Sequence, residues 1–84
     1  MLKMRYIVYV LRSLKDRKRY IGMTERPLSE RISEHNSGLV KSTRHRKPLQ
    51  YSYHEEFSSK KEAMKREKFF KSGKGREFLK SIGK

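Results

Sequence analysis

Tyr6-Ile7-Val8-Tyr9-Val10-Leu11 is a continuous run of β-branched, aromatic and aliphatic residues, set between Arg5 and Arg12. An apolar run of this length bounded by charge suits a strand covered on both faces. Working outward, Lys15-Asp16-Arg17-Lys18 reads as a polar turn, and Arg19-Tyr20-Ile21-Gly22-Met23 as a second short strand. So short a connection predicts an antiparallel hairpin. Gly22 has no side chain, which leaves room beside Tyr20 for a ligand or for another backbone.

Beyond the hairpin, Pro27 fits the first turn of a helix on which Leu28 and Ile32 share a face. Asn36-Ser37-Gly38 supplies residues able to take a left-handed C-cap. Leu39 to Pro48 is expected to be a flexible basic loop carrying Lys41, Arg44, Arg46 and Lys47. Leu49, Tyr51, Tyr53 and Phe57 then alternate with polar residues as in a third strand. Ser58 or Ser59 can cap the next helix, with Glu62 placed for a capping box. Ala63, Met64, Glu67, Phe70 and Lys71 follow at helical spacing. Ser72-Gly73-Lys74-Gly75 is expected to break that helix, leaving Arg76 to Ile82 as a last short one. The order is ββαβαα, an α+β fold in a single domain spanning residues 1–84.

Composition limits the partners. The 84 residues include 23 Lys and Arg against 9 Asp and Glu, a net charge of +14. Such a surface attracts a phosphate backbone first and an anionic membrane second. Hydrophobic residues are 33% of the chain, so the core is small. Without cysteine there is no disulfide, and three His with no Cys do not make a closed zinc site. No segment approaches the roughly 20 apolar residues of a membrane span. Met1 to Arg12, with Lys3 and Arg5 ahead of the apolar run, has a superficial likeness to a signal peptide. Its apolar part is short and no small-residue cleavage site follows, so it reads as a strand and the expected location is cytoplasmic.

Several side chains could carry chemistry. Tyr9 lies in an apolar run and suits core packing; Tyr20, next to Gly22, can turn a hydroxyl to a cleft. Arg31 and His35 share one helix face. They suit either a solvated boundary beside Glu30 and Glu34, or an Arg fork for phosphate next to a proton-transferring His. Glu67 sits between Ala63 and Phe70 on the apolar stripe, where a lone carboxylate is costly. It can pair with Lys71 at i+4, or hold a hard divalent ion together with waters and substrate phosphate. No glycine-rich phosphate loop is present, which argues against a nucleotide cofactor.

Ile7-Val8-Tyr9, eleven residues ahead of Tyr20-Ile21-Gly22, together with Thr24, the R-x-x-x-H of Arg31 to His35 and the E-A-x-x-x-E of Glu62 to Glu67, resembles the GIY-YIG nuclease superfamily. The likeness runs from about Arg5 to Ile82 and is greatest to the small single-domain bacterial branch related to the URI group. It implies a three-stranded antiparallel sheet flanked by helices, and metal-dependent cleavage of phosphodiester bonds in DNA with one Mg²⁺ or Mn²⁺ ion. Carried over, Tyr9 and Tyr20 line the site, with Tyr9 helping to take the proton of the attacking water. Arg31 holds the scissile phosphate, His35 moves or positions a proton, and Glu67 binds the metal. A tyrosine ionises near pH 10, so this role needs metal, Arg31 or basic neighbours to lower that value.

Two positions depart from the pattern. Ile7 stands where the first motif has Gly, and the Asn often found near the domain's end has no counterpart, Asn36 being the chain's only Asn. The alternative function is a non-catalytic basic module that binds nucleic acid on the same fold; a basic packing or ribosome-associated protein is a third. The substrate is expected to be DNA, with branched, damaged and single-stranded forms as candidates and RNA as the alternative. Lys41, Arg44, Arg46 and Lys47, supported by Arg66 and Lys71, are the expected backbone contacts.

Overall fold

The computed structural model describes residues 5–84, so Lys3 of the basic start lies outside it. The elements are β1 (Tyr6–Ser13), β2 (Arg19–Thr24), α1 (Leu28–Asn36), β3 (Leu49–Phe57), α2 (Lys60–Phe70) and α3 (Gly73–Ser81). This is the expected ββαβαα order. The strands form one antiparallel sheet, β2-β1-β3.

The apolar run became the central strand because it has two faces to bury. Val8 and Val10 pack with Ala63, Phe70 and Leu79 on the side of α2 and α3. Tyr9 and Leu11 point the other way, to Leu49, Leu28 and Ile32 on the side of α1. Alternation along one strand thus supplies both hydrophobic clusters.

The helix breaks where expected, between Phe70 and Gly73, but the start of the last helix is corrected: α3 begins at Gly73 rather than Arg76. The Ser72 hydroxyl accepts from the Gly75 N–H at 3.2 Å, an N-cap that starts the helix within the glycine stretch. Gly75 lets the helices touch, since a Cβ there would overlap the Phe69 carbonyl oxygen and lie 2.6 Å from the Phe70 Cα. Ser59 caps α2 as expected, accepting from the Glu62 N–H at 3.3 Å.

The basic loop is also tied down rather than flexible. Asn36 Nδ2 donates to the Leu49 carbonyl at 2.9 Å, and the Leu49 N–H donates back to Asn36 Oδ1 at 2.6 Å. Between these ends, Ser13 Oγ donates to the Arg46 carbonyl at 2.5 Å, and turns form around Val40 and Thr43. Among the described residues, no helix is long and apolar enough to cross a membrane.

Candidate active site

Hairpin register places Tyr9 opposite Gly22. A Cβ at Gly22 would stand 2.5 Å from both Cζ and the hydroxyl of Tyr9. The room at Gly22 is therefore filled by the tyrosine ring itself, which corrects the expectation of a ligand or backbone there. Tyr9 is fully buried. Its hydroxyl lies 2.9 Å from His35 Nε2 and accepts from Arg31 Nε at 3.3 Å. Tyr20, half-buried, sets its ring edgewise to both, with centroids 6.3 Å from Tyr9 and 4.9 Å from His35. Four signature side chains from β1, β2 and α1 thus meet at one point.

His35 overturns the solvated-boundary reading of its helix face, being wholly buried. Burial is permitted because both ring nitrogens have partners: Nε2 the Tyr9 hydroxyl, and Nδ1 the Thr43 hydroxyl at 2.7 Å. Arg31 can only donate, so the Tyr9 oxygen accepts from it and turns its own proton to Nε2. That leaves the Nδ1 proton for Thr43, whose hydroxyl reaches the Val40 carbonyl at 3.5 Å. Thr43 went unnoticed in the sequence. It stands eight residues after His35 in a polar loop, and no spacing marks it.

Electrostatics follow from this burial. Loss of water, then the nearby Arg31 charge, hold the His35 imidazole down at about pKa 4, with Glu34 opposing. Its folded pKa lies below the unfolded value, so neutral His35 contributes stability that is complete above about pH 6.5 and is lost as pH falls toward 4. The shift corresponds to roughly 3 kcal/mol. An NMR titration is expected to keep the His35 ring signals in their neutral positions at pH 5; protonation above pH 6 would contradict the network. For Tyr9, burial raises the hydroxyl pKa, and this outweighs the lowering by Arg31; Tyr20 and Glu67 add smaller upward pushes. The expected lowering by Arg31 operates but does not win.

Arg31 is about a quarter exposed, and Nη1 donates to Glu34 at 3.0 Å, a carboxylate it shares with Arg26. Glu67 comes from the opposite face of the sheet. Its side chain is 24% exposed and lies 3.4 Å from Lys71 Nζ, so it borders the stripe of Ala63 and Phe70 and is paired as the i+4 spacing allowed. No group of three or more potential metal-ligating side chains occurs among the described residues. A single carboxylate at the rim still fits a hard ion of the Mg²⁺ kind, which takes one or two carboxylates and completes its shell with water and phosphate.

Two expected nucleic-acid contacts are committed within the fold. Arg46 donates to Asp16 at 2.8 Å and to the Lys18 and Arg19 carbonyls, pinning the loop to the hairpin turn. Arg66 grips Glu55 at 2.7 and 3.2 Å and lies over the rings of Phe69, Phe70 and Phe78. Lys41, Arg44 and Lys47 are exposed. Lys71 lines a cleft of about 750 Å³ beside edge strand β2, together with Tyr20. Arg12, Arg19 and Arg76 share that cleft. Hairpin register would have revealed the first two, since it sets Arg12 opposite Arg19.

Comparison with known proteins gives the family. The model of the GIY-YIG catalytic domain matches residues 5–80. A UPF0213 protein of Staphylococcus haemolyticus is 39% identical over 79 residues, covering 93% of this chain and 94% of the relative. One from Bacillus pumilus is 42% identical over 71 residues, covering 83% of this chain and 70% of the relative. The solution NMR structure of the UPF0213 protein BH0048 from Bacillus halodurans superposes with a TM-score of 0.57 at 38% identity, covering 94% of this chain and 85% of that one. With the family's tyrosines, arginine and histidine gathered around one hydroxyl, the chain belongs to the GIY-YIG nuclease superfamily, alongside the small bacterial UPF0213 proteins.

Proposed function

We propose that the protein is a metal-dependent endonuclease that hydrolyses phosphodiester bonds in DNA. The observation that carries this reading is the Tyr9 hydroxyl, held by Arg31 on one side and His35 on the other. Arg31 meets the scissile phosphate and balances charge that grows in the transition state. Glu67 would hold one Mg²⁺ or Mn²⁺ ion, which supplies further neutralisation of the phosphate.

The residues of the chain handle the proton. As the water oxygen bonds to phosphorus and the bond to the leaving deoxyribose oxygen breaks, the water must lose a proton. A proton that arrives on the Tyr9 oxygen is matched by Tyr9's own proton passing to His35 Nε2, which holds it only briefly because burial disfavours the imidazolium. The leaving oxygen takes up a proton from solvent, and His35 returns its own to solvent. This route spares Tyr9 from standing as a buried phenolate, which its raised pKa disfavours. Tyr20, the more exposed of the pair, faces the cleft and orients the incoming group.

The test is a cleavage panel of supercoiled plasmid, branched, damaged and single-stranded DNA and RNA, with Mg²⁺ or Mn²⁺. Wild type is expected to cut at least one substrate and Glu67→Ala none. Arg31→Ala is expected to lower kcat on the order of 10²–10³-fold, as loss of a transition-state donor does. Equal behaviour of wild type and Glu67→Ala on every substrate would sink the catalytic reading.

A second reading, a binding module without turnover, is favoured by one observation. The Glu67 carboxylate, the one expected metal ligand, is already paired with Lys71. Salt-sensitive binding that Glu67→Ala leaves unchanged, without cleavage by wild type, selects this reading.

A further inference from the structure

On the α2 and α3 side of the sheet, three guanidiniums share the cleft with no Asp or Glu side chain to answer them. Arg12 and Arg19 face each other across the hairpin, and Arg76 comes from α3. Among the described residues none of the three pairs with an Asp or Glu, whereas Arg46 and Lys71 in the same cleft do. Loss of water and the charges of Arg12 and Arg76 lower the pKa of Arg19. Like charges gathered without a counter-ion weaken a fold, and a bound anion relieves them.

One oxygen already sits at this point. The main-chain oxygen of Lys84 accepts from Arg12 Nη2 at 2.8 Å and from Arg19 Nε at 3.0 Å. Two guanidiniums converging on one oxygen are the arrangement that binds a phosphate oxygen. We propose that Arg12, Arg19 and Arg76 form a second phosphate subsite, which takes a nucleic-acid backbone phosphate away from the reacting one and displaces the Lys84 oxygen to do so. The inference rests on the nucleic-acid partner of the proposed function.

Strand geometry gives the spacing. Arg12 lies three residues beyond Tyr9 along β1, about 10 Å at the usual rise of a strand. The Arg12 side chain leaves the sheet on the side opposite to Tyr9, so a nucleic-acid backbone joins the two around edge strand β2, where Tyr20 and the three arginines line one cleft. The subsite therefore holds the substrate at a fixed offset and does not touch the bond that breaks.

The experiment is fluorescence anisotropy of a labelled DNA duplex across a salt series, in EDTA so that no cleavage intervenes. Arg12→Gln/Arg19→Gln is expected to weaken binding about tenfold near 0.1 M salt and to reduce the salt slope by about one. Those two residues also hold Lys84, so Arg76→Gln serves as a second variant that leaves those hydrogen bonds in place. It is expected to weaken binding while leaving Tm unchanged or higher, because it relieves repulsion; a structural arginine would lower Tm. Lys60→Gln/Lys61→Gln removes the same charge as the double variant elsewhere and is expected to bind nearly as wild type. Unchanged binding by the arginine variants, or an equal loss in the lysine control, overturns the subsite. Wild type that binds and never cleaves defeats the endonuclease reading and leaves the subsite standing. Wild type that cleaves while the arginine variants bind normally does the reverse.

Discussion

Gly22→Ala is expected to abolish cleavage and to destabilise the fold together. The added methyl falls 2.5 Å from two atoms of Tyr9, inside any tolerable contact. Tyr9 is wholly buried between Tyr20 and His35, so its ring cannot swing aside into open space. Moving the ring carries its hydroxyl away from Arg31 Nε and His35 Nε2, and one methyl thereby dismantles the whole constellation. Overpacking of a tight core costs about 1–3 kcal/mol, and each kcal/mol lowers Tm by about 4–8 °C in a domain of this size. Thermal melts and the plasmid assay check both effects. Gly22→Ala/Tyr9→Leu is expected to be more stable than the two single losses added together, because the smaller side chain removes the clash. It should remain inactive, since Leu carries no hydroxyl.

Gly75→Ala is expected to produce the largest loss of stability with the cluster of Tyr9, Arg31 and His35 left in place. Its Cβ would meet backbone, the Phe69 carbonyl and the Phe70 Cα, and no rotamer change can clear backbone. The helix start must move, and with it Leu79 and Phe78, which pack on the cluster of Val8, Val10 and Phe70. Alanine favours a helix over glycine by up to about 1 kcal/mol. The overlap costs at least the upper part of the roughly 1–3 kcal/mol range for overpacked sites, so destabilisation wins. Below its lowered Tm the variant is expected to keep Tyr9, Arg31 and His35 in place on the other face of the sheet, and to lose cleavage only as far as the displaced end of α2 carries Glu67 with it. Denaturant melts paired with cleavage at low temperature separate it from Gly22→Ala.

The fold was legible because its strands carry their burial in their side chains. The run around Val8 and Tyr9 has no solvent face. Leu49 to Phe57 is a strand as expected, but its alternation does not hold: a register shift puts Leu49 with Tyr9 and Leu11, Tyr53 and Phe57 with Val8 and Val10, and leaves Tyr51 exposed. The start of α3 was misread because Gly73 and Gly75 look like breakers. What a glycine permits depends on its neighbour, here α2, and that neighbour is not written next to it. Among the candidate site residues, Tyr9, Tyr20, Arg31 and His35 converge, as their order along the hairpin and α1 suggested. The burial of His35 was hidden by its acidic neighbours Glu30 and Glu34. It depends on Thr43, a partner supplied by a loop with no periodicity. Arg46 and Arg66 looked like free cations for a similar reason: Asp16 and Glu55, which hold them, are distant in sequence.

The clasp between Asn36 and Leu49 means that the segment from Ser37 to Pro48 joins the fold as a closed ring. Fixing a backbone residue costs about 1–2 kcal/mol, and for this ring that ordering is complete before any ligand arrives. On the proposed function, Lys41, Arg44 and Lys47 would meet a phosphate backbone as one preset tray, and little affinity would be lost to arranging them. The ring is also separable from the chemistry at every position but Thr43, which turns inward to His35. It is an exchangeable cassette: its outward residues can be rewritten to grip a differently shaped nucleic acid while the tyrosine, arginine and histidine beneath it stay as they are.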